Sequence, residues 1–115
     1  MSETFIERAE RRHWARLKQL SGRRAIYRAT GKKRGVSVTA IPLSPENDRL
    51  DFGGLILNPD SKLFLIGTDE IKEPQQGDVI ELDGKKWEVK PFEDGLCWTS
   101  HGQYKLAYKI HARLK

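Results

Sequence analysis

Cys97 and His101 stand four residues apart, a spacing at which two side chains can share a metal ion. Two ligands do not close a tetrahedral zinc site, and His111 is a weak third candidate. Cys97 is the only cysteine, so no disulfide can form within the chain, and a lone thiol of this kind reads as core. Asp69, Glu70 and Glu73 imitate a carboxylate cluster, but no histidine or second acidic motif lies nearby, so the stretch reads as a solvated loop. Catalysis needs a nucleophile beside a base, a paired acid and base, or a metal cage. None is visible, and G-x-x-x-x-G-K, G-x-S-x-G and H-E-x-x-H are all missing. The reading is therefore a non-enzyme without cofactor or metal.

What remains is electrostatic chemistry. Lys32, Lys33 and Arg34 form three adjacent cations between Gly31 and Gly35. On a projecting turn they either keep the loop solvated or meet phosphate or carboxylate. The net charge of +5 conceals a segmented chain. Residues 1–34 carry 11 Lys and Arg against 3 Asp and Glu, residues 35–104 carry 6 against 13, and residues 105–115 carry 4 against none. A protein that coats nucleic acid is usually basic along most of its length. Segmentation suits one that meets acidic partners at its ends and docks onto copies of itself.

These groups must be held by local elements. Thr4 and Glu7 form a capping box for a helix that ends at Ser21-Gly22. Ile6, Ala9, His13, Leu17 and Leu20 make its apolar stripe, flanked by Phe5 and Trp14, with His13 a boundary residue rather than a ligand. Arg8, Arg11, Arg12, Arg16 and Lys18 crowd the opposite face, which is either solvated or a contact for a polyanion or acidic protein. Residues 23–30 and 36–41 read as a hairpin with the three cations at its tip. Residues 42–51 read as a surface loop. A second hairpin, 55–57 with 63–66 around a turn at 58–61, is apolar on both faces, so one face needs cover from the helix or a neighbouring subunit.

The third hairpin is the best defined. Asp83-Gly84 signals a type I′ turn pairing 82 with 85, 81 with 86, 80 with 87 and 78 with 89. Ile80, Leu82, Trp87 and Val89 then share one face, and Glu81 faces Lys86 on the other. After a short run at 96–99 and a turn at His101-Gly102, the terminal strand alternates Tyr104, Leu106, Tyr108, Ile110, Ala112 and Leu114 against Lys105, Ala107, Lys109, His111, Arg113 and Lys115. The first set is expected to close a barrel against the Asp83-Gly84 hairpin, and the second to form a basic surface.

The run from Gly77-Asp78 through Asp83-Gly84 to Trp87-Glu88-Val89, then Cys97-Trp98, then Tyr104 to Arg113 with Ile110-His111, resembles small head-tail joining, or head-completion, proteins of tailed bacteriophages and prophages. The likeness covers roughly the last 40 residues. It implies a virion structural protein of mostly β architecture that docks as a homo-oligomeric ring on the connector or portal and helps seal the packaged head or receive the tail. It also implies synthesis in the bacterial host cytoplasm, and carries over no catalytic or cofactor residues.

The expectation is one domain over 1–115, with a helix to residue 22 and, from 23 on, a mainly β barrel or sandwich of about six or seven mostly antiparallel strands. No apolar run approaches the ~18 residues of a membrane span. The leading function is head-tail joining, with phage connector, portal and tail proteins as partners and a possible contact to packaged DNA. The alternative is a small basic nucleic-acid-binding barrel. Charge patterning nominates Arg11, Arg12, Lys32, Lys33, Arg34, Lys105, Lys109 and Arg113 as partner-binding residues.

Overall fold

A computed structural model describes residues 5–43, 61–91, 95–101 and 104–115. Helix α1 (Phe5–Ser21) precedes strands β1 (Arg23–Arg28), β2 (Val36–Pro42), β3 (Ser61–Gly67), β4 (Val79–Leu82), β5 (Lys85–Val89), β6 (Trp98–His101) and β7 (Ala107–Leu114). Strand order is β3-β2-β1-β4-β5-β7-β6, and a further β3–β7 pairing seals six strands into a closed antiparallel barrel. β7 is the closing strand. One edge pairs with β3 from Ala107 to Arg113, while the other is shared by β6 at 107–110 and β5 at 112–114.

The interior follows from the two-residue period of a strand. Each barrel strand contributes two side chains at i and i+2. These are Ala25 and Tyr27, Val38 and Ala40, Phe64 and Ile66, Ile80 and Leu82, Trp87 and Val89, and Ile110 and Ala112. All are buried, and Phe64 meets Trp87 edge to face with ring centroids 5.8 Å apart. Burying a side chain such as Phe64 or Ile110 contributes about 1.5–3 kcal/mol, so this filled interior is the main source of stability.

The Asp83-Gly84 hairpin has the register the turn demands. Both turn residues have positive φ, 54° and 77°, and Glu81 lies opposite Lys86 with 3.8 Å between Oε1 and Nζ. Glu81 also accepts from Arg28 Nη1 at 3.1 Å, so the carboxylate ties β1, β4 and β5 on the outer face. Terminal-strand pairing to this hairpin is present as Trp87 with Leu114 and Val89 with Ala112.

Three details differ from the sequence reading. The helix does not pack through Ile6, Ala9, His13 and Leu20. Trp14, its one buried residue, sits on Ile41, Leu65 and Ala107, with Leu17 beside it. Phe5, Ile6 and Leu20 are 77%, 61% and 71% exposed. The large indole wins the contact because it covers three strands at once, and Glu10 reinforces that rotation by accepting the Tyr104 N–H at 3.2 Å. The helix ends as expected, where Gly22 N–H bonds Lys18 O. A Cβ on Gly22 would stand 2.3 Å from that oxygen, so only glycine fits. Thr4 lies outside the described residues.

The terminal strand begins at Ala107 rather than Tyr104, because Lys105 takes a left-handed φ of 53° in a preceding turn. Its supposed basic face is also interrupted. Ala107 lies beneath Trp14, and His111 is 5% exposed because its ring is drawn to the Lys90 carbonyl, with 2.7 Å from Nδ1 to the oxygen.

The second hairpin is represented by β3, which starts at Ser61, within the anticipated turn; residues 44–60 lie outside the described residues. Both faces of β3 are buried as its composition requires: Phe64 and Ile66 point into the barrel, and Leu65 lies under the helix.

Candidate partner-docking surface

The β1–β2 hairpin positions the strongest cation cluster. Its strands pair from Arg23 with Ala40 to Tyr27 with Val36, leaving a loop whose crown is Thr30 to Gly35. Gly31, at φ 81°, and the Lys32 N–H to Ala29 O bond of 3.0 Å make the turn. Gly35 then passes so close to β1 that a Cβ would meet Ile26 Cγ2 at 2.3 Å. Lys32, Lys33 and Arg34 stand exposed on this crown.

The base of the loop is pinned by Asp78, which is 2% exposed. Its Oδ1 accepts Thr30 N–H and Thr30 Oγ1–H, each at 2.8 Å, and its Oδ2 accepts Gln75 N–H at 2.9 Å and the Tyr27 hydroxyl. Burial alone would raise this carboxyl, but the bonds from Tyr27, Gln75 and Thr30 outweigh it and hold the group below the ordinary carboxylate range. Burial, followed by the same bond to Asp78, pushes the Tyr27 phenol well above its usual value. The loop is therefore braced at its base by a buried, fully hydrogen-bonded carboxylate.

Asp78 was not among the nominated site residues, yet its position was readable. It continues the interior row 78, 80, 82 of β4, and a carboxylate in phase with buried Ile80 and Leu82 must find donors.

The eight nominated cations do not form one patch. Lys32, Lys33 and Arg34 share one rim of the barrel with Lys105, because β1 ends and β7 begins on that rim. The Lys105 carbonyl is held there by Thr68 Oγ1–H at 3.1 Å. Lys109 is half-buried on the outer wall, between Leu65 of β3 and Thr99 of β6 in register. Arg113 lies toward the opposite rim, across from Glu88. Arg11 and Arg12 are exposed on α1, and Arg11 is 3.5 Å from Glu7.

The remaining reactive types have structural surroundings. Burial, with a lesser contribution from Asp78, pushes the Cys97 thiol up, away from the reactive thiolate. Burial holds His111 below its ordinary value. Among the described residues, no three His, Cys, Asp or Glu side chains are grouped to hold a metal ion.

The barrel is closed and filled, and the basic loop stands outside it on the Asp78 brace. A family model described as phage head-tail joining protein matches residues 3–115. The chain belongs to that family, whose members are structural components of the virion that interact with head and tail proteins. Comparisons with curated proteins and with solved structures returned no match. The family match extends the likeness at the C-terminus over nearly the whole chain, including α1 and the β1–β2 hairpin.

Proposed function

We propose that the protein docks on the head connector as one member of a homo-oligomeric ring and that the Lys32-Lys33-Arg34 crown is a principal contact. The observation that carries this reading is the crown itself: three exposed cations on a loop braced by Asp78, projecting from a barrel that needs none of them for its core. A projection tied down at its base loses less conformational freedom on docking than an untethered loop, which favours affinity. Segmented charge supports a ring, because the basic α1 of one copy can meet an acidic stretch of the next. Lys105 on the same rim extends the contact, while Arg11, Arg12, Lys109 and Arg113 serve other faces.

Electron microscopy of the protein mixed with assembled connectors tests the reading. Wild type is expected to form an added ring layer, and K32E/K33E/R34E to lose it while keeping its melting temperature. Failure of wild type to bind connectors or complete heads would sink the proposal. Contact with packaged DNA is a subsidiary part of it. Binding to a DNA duplex that falls steeply with salt would support that contact, and absence of binding at low salt would remove it.

A further inference from the structure

The rim bearing the crown also holds a cavity of about 640 Å3, between the β1–β2 loop and the segment that follows β3. Its walls are apolar: Ala29, Val36 and Ile71 line it above the Tyr27 ring. Ile71 is half-buried and also packs against the barrel interior. Val36 is 51% exposed, and its side chain gains from any apolar group that displaces water.

The polar atoms at the floor are already engaged. The Tyr27 hydroxyl donates to Asp78, and both Asp78 oxygens also accept from Thr30 or Gln75. A ligand group buried there finds no spare donor in that pair, and the unpartnered atom of the lining, Glu70 Oε2, is an acceptor that a carboxylate cannot use, so an apolar side chain suits the walls.

The rim carries the opposite instruction. Lys32, Arg34 and Lys72 line the mouth, and no ion pair among the described residues neutralises them. Three carboxylates share the lining with them: Glu73 is exposed beside the cations, Glu70 is drawn to the wall, where its Oε1 accepts the Thr39 N–H at 3.1 Å, and Asp78 is buried at the floor, so the cations are the more exposed of the charged groups.

We infer that this cup seats an apolar side chain of an acidic segment of a partner protein, with carboxylates on either side of that side chain meeting Lys32, Arg34 and Lys72. A duplex is the poorer occupant, because its phosphate row brings no apolar side chain to Ala29, Val36 and Ile71 and would run past Glu73. The inference rests on the reading of the chain as a protein that docks on phage components, and names the chemistry of one contact in that docking.

The test is titration of the isotopically labelled protein, followed by amide NMR, with a short synthetic peptide carrying one phenylalanine between pairs of glutamates. Saturable shifts are expected at Ala29, Thr30, Val36 and Ile71. Replacing the phenylalanine by alanine, or the glutamates by glutamines, should weaken binding by about tenfold or more, as should V36E or R34E/K72E in the protein. Val36 and the rim cations carry no core packing, and unchanged spectral dispersion verifies that the variants fold. The inference is overturned if no shifts occur up to millimolar peptide, if the glutamine peptide binds equally, or if a DNA duplex binds this cup in preference to the peptide. Connector docking separates the two readings. If V36E adds its ring layer like wild type while K32E/K33E/R34E does not, the cup is excluded and the crown stands; if wild type itself does not dock, the joining role fails whatever the peptide does.

Discussion

Tyr27 donates its hydroxyl hydrogen to the carboxylate of Asp78, 51 residues further along the chain, in the buried base of the β1–β2 loop. This bond joins the end of β1 to the start of β4 and supports every cation on the crown. Removing the carboxylate strands the Tyr27 hydroxyl and the Thr30 and Gln75 amides without a partner. D78A should therefore cost about 3 kcal/mol or more, and Y27F about 1–2 kcal/mol, in urea unfolding. Costs near zero would show that water replaces the carboxylate and that the loop is not braced there.

The same carboxylate should mark the acid limit of the fold. Its folded value lies below the unfolded one, so its contribution is complete above the ordinary carboxyl range near 3.9 and is lost as pH falls through the folded value. Stability measured from neutral pH downward should bend in that window in wild type, and the bend should shrink in D78N.

His111 acts at higher pH. Its ring is buried, Nδ1–H donates to the Lys90 carbonyl, and its folded value is lowered mainly by burial. Below the ordinary histidine value near 6.5, the unfolded chain takes up a proton that the folded chain resists. Stability should thus be full above that value and decline as pH falls from it toward the lowered folded value. H111N should flatten the urea midpoint between pH 7 and 5 relative to wild type; an unchanged slope would mean that the ring protonates freely in the fold.

Trp14 is the one buried side chain of the helix. W14A should cost about 3 kcal/mol by opening a cavity above Ile41, Leu65 and Ala107. F5S and L20S should stay within about 0.5 kcal/mol, since both side chains already face water. The reverse ranking in thermal melts would place the bound face of α1 where the apolar stripe suggested it.

The terminal strand divides by position rather than by face. Ile110 is fully buried between β3 and the shared β5–β6 edge, so I110E should cost more than about 4 kcal/mol and abolish cooperative unfolding. Leu114, at 40% exposure beyond the end of the β3 pairing, should accept glutamate for about 1 kcal/mol. Comparable losses at both sites would contradict the placement of the barrel interior.

Local chemistry was enough to read most of the elements. Asp83-Gly84 can adopt positive φ cheaply, so the turn, its register and the shared face of Ile80, Leu82, Trp87 and Val89 followed from residues within one hairpin. The strand-forming composition of β1 and β2, the period-two pattern of β7 and the doubly apolar β3 likewise pointed to a mainly β barrel or sandwich, and Lys32-Lys33-Arg34 was visible as a tip because two glycines frame it. What only tertiary structure decided depends on pairs far apart in the chain. Trp14 selects the bound face of α1 by what it finds on three strands, His111 is buried because Lys90 presents a carbonyl 21 residues away, and Asp78 gains donors from Tyr27 on the adjacent strand and Thr30 just beyond it. Periodicity along one segment reports which residues share a face. It does not report what that face meets, and burial and charge at a site are set by the meeting.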